Sequence, residues 1–277
     1  MSAKNSMWIG VGTSGRGERS GQKFCFLCLE AGPEWERDGQ GVNPLMPISY
    51  ARLTIDSPNP LARYAHRTRL RKSLALALPR IGTGKVLDFG CGSGAFVSAV
   101  LALKKDIVGY EPFMHERSAP GLPIYSRMED VEALGPYTLV TLFETIEHLH
   151  DEEIDTFLQT CQNLLGINGV ILISAPIEIG PALLLKELNR YLRTPRSLRR
   201  ECLEHSAADL LKASFLGVPP GRTWNLKASH KGFDFRQTIR YLEDKGWRVE
   251  MLSHSPLPIG TWYGNSQVFL SARRYSS

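Results

Sequence analysis

Cysteine is scarce in this sequence, and no apolar run is long enough to cross a membrane. The five cysteines among 277 residues are odd in number and scattered, which argues against a disulfide framework and favours a reducing compartment. The longest apolar stretch, GVILISAPIEIGPALLL, is interrupted by Glu178, prolines and glycines. The N-terminus lacks the charged start and apolar core of a signal peptide. We therefore expect a cytoplasmic protein.

Neither positive nor negative charge dominates the sequence. The formal net charge is +5, and the basic residues show no aromatic interleaving and no recognisable nucleic-acid-binding module. No nucleic-acid partner is predicted. Hydrophobic residues make up 43% of the chain, which excludes wholesale disorder and predicts a sizeable core.

Residues 1–47 differ from the remainder of the chain. They are rich in glycine, serine and charge and have no apolar period, which predicts a flexible N-terminal segment followed by one domain over residues 48–277. Cys25 and Cys28 form a CxxC pair, the half of a zinc site. No second pair follows at a suitable spacing, so we predict no metal site there.

Strand and helix patterns alternate through the middle of the chain. KVLDFG, DIVGYEP, GLPIYS, YTLVTLFE and GVILISAP read as strands, and NSQVFLSARR and RVEMLSHSPL as two closing strands. This order predicts an α/β fold with a doubly wound, mostly parallel, seven-stranded Rossmann-like sheet. Residues 179–228 read as a helical insert, which we expect to form a lid over the carboxyl ends of the strands, where ligands bind in such sheets.

A glycine-rich turn follows the first strand in VLDFGCGSGAF. Gly90, Gly92 and Gly94 allow a sharp turn and the close approach of a ligand to the backbone. Asp88, just before the turn, would repel a pyrophosphate and attract a sulfonium or an ammonium group. Glu111 ends the next strand about twenty residues later, where a carboxylate binds ribose hydroxyls.

These segments resemble the class I S-adenosylmethionine-dependent methyltransferases. VLDFGCGSG, GYEP and LFETIEHL carry the resemblance; ETIEHL and HKGFDFRQTIRYLEDKGW are similar to the ubiquinone-type O-methyltransferase branch, and NPLARYAHRTR to enzymes of glycan and cell-envelope biosynthesis. The resemblance implies S-adenosyl-L-methionine as cofactor. It implies a cofactor site made of Asp88, Phe89, Gly90, Cys91, Gly92, Gly94, Glu111, Pro112, Phe113, Met128, Glu129 and Phe143.

The candidates for proton transfer follow the fourth strand. Methylation of a hydroxyl requires removal of its proton, and His148 is the first choice because imidazole titrates near neutrality. Glu144 and Glu147 are the other candidates, and the alternative is that Glu147 and His148 only brace the loop and shape the cofactor pocket. A metal bound by His148, His150 and Asp151 is not indicated by their spacing.

The acceptor is expected to lie between the insert and the sheet. His230 and Tyr64 are candidate acceptor contacts, as are Arg196 and Arg199, which belong to a cluster of five arginines between residues 190 and 200. The insert joins leucines to these arginines. That combination suits either a lid with solvated arginines or a helix lying at a membrane surface or on an anionic head group.

We interpret the sequence as an S-adenosylmethionine-dependent methyltransferase acting on a hydroxyl of a small molecule or of a glycan-linked or lipid-linked acceptor. Two alternatives remain open: a protein that binds the cofactor without turnover, as a regulator or scaffold, and a nicotinamide-dependent oxidoreductase. Glu111 would suit the ribose of a nicotinamide cofactor equally, but the G-x-G-x-G spacing and Asp88 argue against it.

Overall fold

The computed structural model describes residues 60–112, 121–193, 206–222, 230–257 and 261–275. The predicted flexible segment 1–47 lies outside these ranges. The strands are β1 (Val86–Phe89), β2 (Ile107–Tyr110), β3 (Ile124–Tyr125), β4 (Tyr137–Phe143), β5 (Leu165–Pro176), β6 (Trp247–Ser255) and β7 (Gln267–Arg274).

All seven strands form one sheet in the order β3-β2-β1-β4-β5-β7-β6. β1 pairs in parallel with β2 and β4, β2 with β3, and β4 with β5. β7 runs antiparallel to both β5 and β6. The predicted seven-stranded α/β sheet is therefore confirmed, and it is mixed, with one reversed strand inserted between β5 and β6.

Helices alternate with the parallel strands. They are α1 (Pro60–Ile81), α2 (Ala95–Ala102), α3 (Met128–Glu132), α4 (Asp151–Leu164), α5 (Pro181–Arg193), α6 (Ala207–Leu211) and α7 (Phe235–Asp244), with a 3₁₀ turn at Ile146–His148 and a π-helix at Lys212–Leu216. Pro79 lies inside α1, which ends at Ile81 before the positive-φ Gly82.

The sheet is covered on both faces, as expected for a doubly wound fold. Side chains alternate along each strand, so that Leu87 of β1 joins one core with α4 and α7, while Val86 joins the other with α1 and α2. The first core includes the buried Phe157 of α4, and the second includes the buried Ala77 of α1. Burial on both faces explains why these strands are almost uniformly apolar.

The strand order reverses direction between β1 and β4. β2 and β3 extend to one side of β1, and β5, β7 and β6 extend to the other side of β4. At such a reversal the connections leave towards opposite faces, and a crevice opens at the carboxyl ends of the two strands. This crevice receives the glycine-rich turn after β1 and the segment 144–150 after β4.

The described part of the segment between β5 and α7 combines helices with irregular stretches, which include residues 217–222 and 230–234. It contains α5, α6 and the π-helix, with the intervening residues 194–205 and the following residues 223–229 outside the described ranges. The predicted helical lid insert after β5 stays a proposal. Within the described ranges, no helix combines the length and apolar character needed to cross a bilayer.

We predict that Phe157→Ala destabilises the fold strongly. The Phe157 side chain is 2% exposed, and its ring packs edge-on against the Phe89 ring with centroids 4.8 Å apart. Its removal should lower the free energy of unfolding by about 3–5 kcal/mol, measured by urea denaturation. Ile167→Ala is the control, because Ile167 is fully exposed; equal losses in the two variants would contradict the assigned core.

Candidate functional site

The glycine-rich turn is shaped by its contacts with the protein itself. Gly90, Gly92 and Gly94 all adopt positive φ angles, of 72°, 52° and 78°. A Cβ atom at Gly90 would lie 2.6 Å from the Thr145 methyl carbon, and one at Gly94 would lie 2.6 Å from Ile124. Glycine is therefore required at these two positions for the turn and for the close packing of neighbouring side chains.

Glu111 reaches back from the end of β2 to the turn. The Gly92 N–H donates a hydrogen bond to Glu111 Oε2 at 3.0 Å. A carboxylate has about four lone-pair positions, so it can still accept hydrogen bonds from a ligand. Glu111 lies near the glycine turn because β1 and β2 are parallel neighbours.

Asp88 lies at the base of the turn. It is 3% exposed and accepts a hydrogen bond of 2.7 Å from Thr141 Oγ1. Burial raises the pKa of Asp88 to about 7, although the hydrogen bond from Thr141 opposes the shift. A buried carboxyl of this kind gains from a cationic ligand beside it, which would favour its ionised form.

The aromatic residues predicted at the cofactor site pack partly into the core. The Phe89 ring lies between those of Tyr110 and Phe157, with centroids 4.9 and 4.8 Å away. The Phe143 ring meets Phe96 of α2 edge-on at 4.9 Å. Both rings are half-buried, so one edge of each remains accessible.

The remaining predicted cofactor residues differ in their exposure. Cys91 is half-buried, and burial raises the pKa of its thiol. Pro112 is exposed, and Met128 is half-buried at the start of α3. Glu129 is exposed and forms a 3.5 Å ion pair with Arg127. Phe113 lies outside the described residues.

Glu144, at the end of β4, is held by a network of donors. Its Oε2 lies 2.8 Å from Arg69 Nη1, and its Oε1 accepts hydrogen bonds from Ser174 Oγ at 3.1 Å and from Gln267 Nε2. Burial raises the pKa of Glu144, but the Arg69 charge, His230 and these hydrogen bonds bring it below the ordinary value. Glu144 is therefore ionised at neutral pH.

The backbone at Glu144 is left-handed, with φ of 51°. Such a conformation costs a non-glycine residue about 1–3 kcal/mol and persists only where the surroundings hold it. Here the Glu144 N–H is bonded to the Ser174 carbonyl at 3.2 Å. The turn that this conformation produces directs the following residues back across the crevice.

Glu147, His148 and His230 come together beyond this turn. Glu147 is 1% exposed, and neither of its carboxyl oxygens has a hydrogen-bond partner among the described residues. Its Oε1 lies 3.9 Å from His148 Nε2 and 3.6 Å from His230 Nδ1. Burial, and then the Glu144 charge, raises the pKa of Glu147 well above its ordinary value.

The two imidazoles line the accessible side of this cluster. Their ring centroids are 5.1 Å apart, and the side chains of His148 and His230 are 34% and 30% exposed. Burial lowers the pKa of His230 to about 4, so this imidazole is neutral at physiological pH. A neutral imidazole can accept a proton or bind a metal ion.

One ligand atom from each of Glu147, His148 and His230 fits within 4.8 Å of the others. A carboxylate and two imidazoles are a donor set that Zn²⁺, Mn²⁺ and Fe²⁺ accept. His150, which the sequence placed beside His148, instead caps the N-terminus of α4, where its N–H donates to Glu153. The potential metal ligands are thus a different set from the one weighed in the sequence.

The insert contributes two further charged groups near the cluster. Lys186 of α5 forms an ion pair with Glu178, which is 5% exposed, and both groups influence the pKa of His230. Arg222, after the π-helix, donates a hydrogen bond to the Glu147 carbonyl and stacks over the Phe233 ring at 5.1 Å. Arg222 also lines a cleft of about 160 Å³ beside the 3₁₀ turn.

The other predicted acceptor residues, Tyr64, Arg196 and Arg199, stay predictions. Tyr64 lies near the start of α1 with 61% of its side chain exposed. Arg196 and Arg199 lie outside the described residues. Farther along α1, Arg69 forms an ion pair with Glu144, and burial lowers the pKa of His66 to about 4.

The sequence did not reveal several residues that the structure brings to this site. They are Arg69, Ser174, Lys186, Arg222 and Gln267. Arg69 is one of several basic residues on α1, and Gln267 opens a strand that is remote in sequence from β4. No local pattern distinguishes either of them from a solvated surface residue.

Comparisons with known proteins place the chain in a family. Residues 61–213, more than half of the chain, match the family described as "Methyltransferase domain". A similar curated protein is a ubiquinone biosynthesis O-methyltransferase from Bradyrhizobium diazoefficiens, 29% identical over 104 residues. That alignment covers 34% of this chain and spans only 40% of the relative's length.

Two solved structures are also similar to this chain. One is a SAM-dependent methyltransferase from Archaeoglobus fulgidus, with 14% identity, coverage of 78% of this chain and 100% of that chain, and a TM-score of 0.45. The other is magnesium protoporphyrin IX methyltransferase from Synechocystis, with 16% identity, coverage of 78% and 88%, and a TM-score of 0.43.

The family match agrees with the fold and with the glycine turn, Asp88 and Glu111 at the carboxyl edge of the sheet. It favours neither a nicotinamide oxidoreductase nor a regulator without turnover. The chain belongs to the family of class I S-adenosylmethionine-dependent methyltransferases, and its cofactor is S-adenosylmethionine.

Proposed function

We propose that this protein transfers the methyl group of S-adenosylmethionine to a hydroxyl group of a small-molecule acceptor. The observation that carries the proposal is the cluster of Glu147, His148 and His230 beside the glycine turn. Two residues, Thr145 and Ile146, separate Glu144 from this cluster, and Thr145 packs on Gly90. A group bound at the cluster is therefore adjacent to a cofactor bound at the turn.

The cofactor site is assigned to the crevice between β1 and β4. Glu111 binds the ribose hydroxyls, and the backbone of Gly90 and Gly92 borders the methionine portion. Asp88, whose pKa is raised to about 7 by burial, lies where the positive charge of the cofactor would favour its ionised form. Pro112 and Met128 flank the adenine.

His148 is assigned as the group that takes the proton from the acceptor. Methyl transfer is an in-line displacement at the sulfonium, and a neutral hydroxyl must lose its proton as the new bond to carbon forms. Burial raises the pKa of Glu147 well above its ordinary value, which disfavours an ionised Glu147 as a competing base 3.9 Å from His148 Nε2. Glu144 stays ionised and braces the loop.

An acceptor with an apolar portion is supported by the insert. α5 exposes Leu185, Leu188 and Leu192, which are 67%, 50% and 63% accessible, and the π-helix exposes Phe215 and Leu216. Exposed large apolar side chains on an element beside a site suit a lipid-linked acceptor or contact with a membrane surface. The similar Bradyrhizobium protein carries the name of an O-methyltransferase, which supports oxygen as the methylated atom.

A second mechanism is favoured by the unpartnered carboxyl of Glu147. Glu147, His148 and His230 would together hold a divalent cation, for which the buried carboxyl and the neutral His230 are suited. A bound cation lowers the pKa of an acceptor hydroxyl and so replaces the need for a separate base. The two mechanisms use the same residues and differ in their dependence on metal.

We predict that Glu111→Ala weakens binding of S-adenosylhomocysteine by about 1–3 kcal/mol, because two hydrogen bonds to the ribose would be lost. Isothermal titration calorimetry measures the change. Glu132→Ala is the matched control, since Glu132 is an exposed carboxylate on α3. Similar affinities for Glu111→Ala and the unaltered protein would refute the assignment of Glu111 to the ribose.

We predict that His148→Gln slows methyl transfer by about 10²–10⁴-fold while leaving the affinity for S-adenosylhomocysteine unchanged. The measurement is the initial rate at which label from methyl-labelled S-adenosylmethionine enters small molecules of a cell extract. His150→Asn is the control, because asparagine preserves an N-cap at α4. An unaltered rate in His148→Gln would remove His148 from the reaction.

We predict that treatment with EDTA separates the two mechanisms. If a cation occupies the cluster, dialysis against EDTA should abolish label transfer and added Mn²⁺ or Zn²⁺ should restore it, with cofactor affinity unchanged. If His148 acts as the base alone, the rate should be insensitive to EDTA. Metal content before and after dialysis, measured by mass spectrometry, checks that any bound ion was removed.

A further inference from the structure

Arg69 connects the N-terminal helix to the segment that carries the proposed catalytic residues. It lies on α1, and its Nη1 is 2.8 Å from Oε2 of Glu144, the first residue after β4. The second core places α1 against β1 and β5 at residues such as Ala77 and Ile81. Packing at that end of the helix fixes α1 to the sheet, so Arg69 approaches Glu144 from a rigid element.

Glu144 is the point at which the chain turns back over the crevice. Its φ of 51° is held by its N–H bond to the Ser174 carbonyl and by the side-chain contacts of its carboxylate. Arg69 is the charged member of that set. Without it the carboxylate keeps only neutral donors, Ser174 and Gln267, to hold a negative charge at the sheet edge.

The residues that follow Glu144 connect its backbone both to the glycine turn and to His148. The Thr145 methyl carbon would lie 2.6 Å from a Cβ at Gly90, so Thr145 is packed against the cofactor turn. The His148 N–H donates to the Thr145 carbonyl at 2.9 Å, which ties the imidazole to the same short segment. A rotation at Glu144 would therefore displace His148 relative to the glycine turn.

We propose that Arg69 is a positioning residue for methyl transfer, because its ion pair with Glu144 holds residues 144–148 in register with the cofactor turn. The proposal rests on the proposed function for its effect on rate. Arg69 touches neither the cofactor nor the acceptor in this assignment. It acts through Glu144, and a displacement of about 1 Å at reacting groups is sufficient to slow a reaction on the order of a hundredfold.

The exposure of the Arg69–Glu144 ion pair distinguishes a role in positioning residues 144–148 from a role in stabilising the fold. The side chains of Arg69 and Glu144 are 29% and 23% exposed, and ion pairs that water reaches contribute little to folding. Loss of Arg69 should thus leave the fold intact while loosening one segment. Arg71→Ala is a matched control, because Arg71 is an exposed arginine on the same helix.

The first test requires no acceptor. Hydrogen–deuterium exchange is measured on Arg69→Ala, Arg69→Lys and Arg71→Ala with S-adenosylhomocysteine bound. The reporters are the amides of Glu144, His148 and Leu149, which are hydrogen-bonded within or next to the segment. We expect exchange about tenfold faster in Arg69→Ala, partial recovery in Arg69→Lys and no change in Arg71→Ala, with melting temperatures within about 4 °C of the unaltered protein.

The second test is the rate of label transfer at saturating S-adenosylmethionine. Arg69→Ala should lower this rate on the order of ten- to a hundredfold, with affinity for S-adenosylhomocysteine within about threefold. Should Arg69→Ala not fold, Glu144→Gln replaces it, because glutamine removes the charge and keeps an oxygen that accepts from Ser174. Unchanged exchange in the segment, or losses of rate, affinity and melting temperature that run in parallel, would overturn the proposal. If the unaltered protein labels nothing, the proposed function fails, and the exchange measurement alone decides the role of Arg69.

Discussion

The site depends on one half-buried carboxylate, that of Glu144. Its contacts reach α1 through Arg69, β5 through Ser174 and β7 through Gln267, while its own backbone ends β4. Four elements that are far apart in sequence thus meet at a single side chain. The contacts offset the cost of the left-handed backbone at Glu144, and that backbone brings the next few residues over the crevice.

The pKa values of Glu144 and Glu147 are shifted in opposite directions because the two carboxyls have different hydrogen-bond donors. Glu144 has a guanidinium and two neutral donors, so its pKa is lowered despite burial. Glu147 has no hydrogen-bond donor for its oxygens among the described residues, so burial and the adjacent negative charge raise its pKa. The result is one ionised carboxylate beside a carboxyl of raised pKa and the neutral imidazole of His230, an arrangement that suits proton transfer.

Residues on both sides of the undescribed stretch 194–205 lie close to this centre. Lys186 and Glu178 form an ion pair at the first helix of the insert, and Arg222 bonds to the Glu147 carbonyl from its other end. Gly180 and Gly217, at its two stems, both adopt positive φ and both pack against the Trp262 ring. The insert is therefore anchored at both stems, and its apolar side chains at Leu185 and Phe215 remain exposed.

The sequence by itself determined the fold class, the seven strands, the glycine turn and the acidic residues Asp88 and Glu111 at the strand ends, because periodicity and strand-end residues are local signals in a parallel sheet. It also proposed Glu147, His148 and His230 as site residues, though as separate candidates. Only the tertiary structure decided the reversed direction of β7, the grouping of those three side chains and the ion pair between Arg69 and Glu144. Those features depend on contacts between residues up to 123 positions apart, such as Gln267 and Glu144, and such distances leave no pattern along the chain.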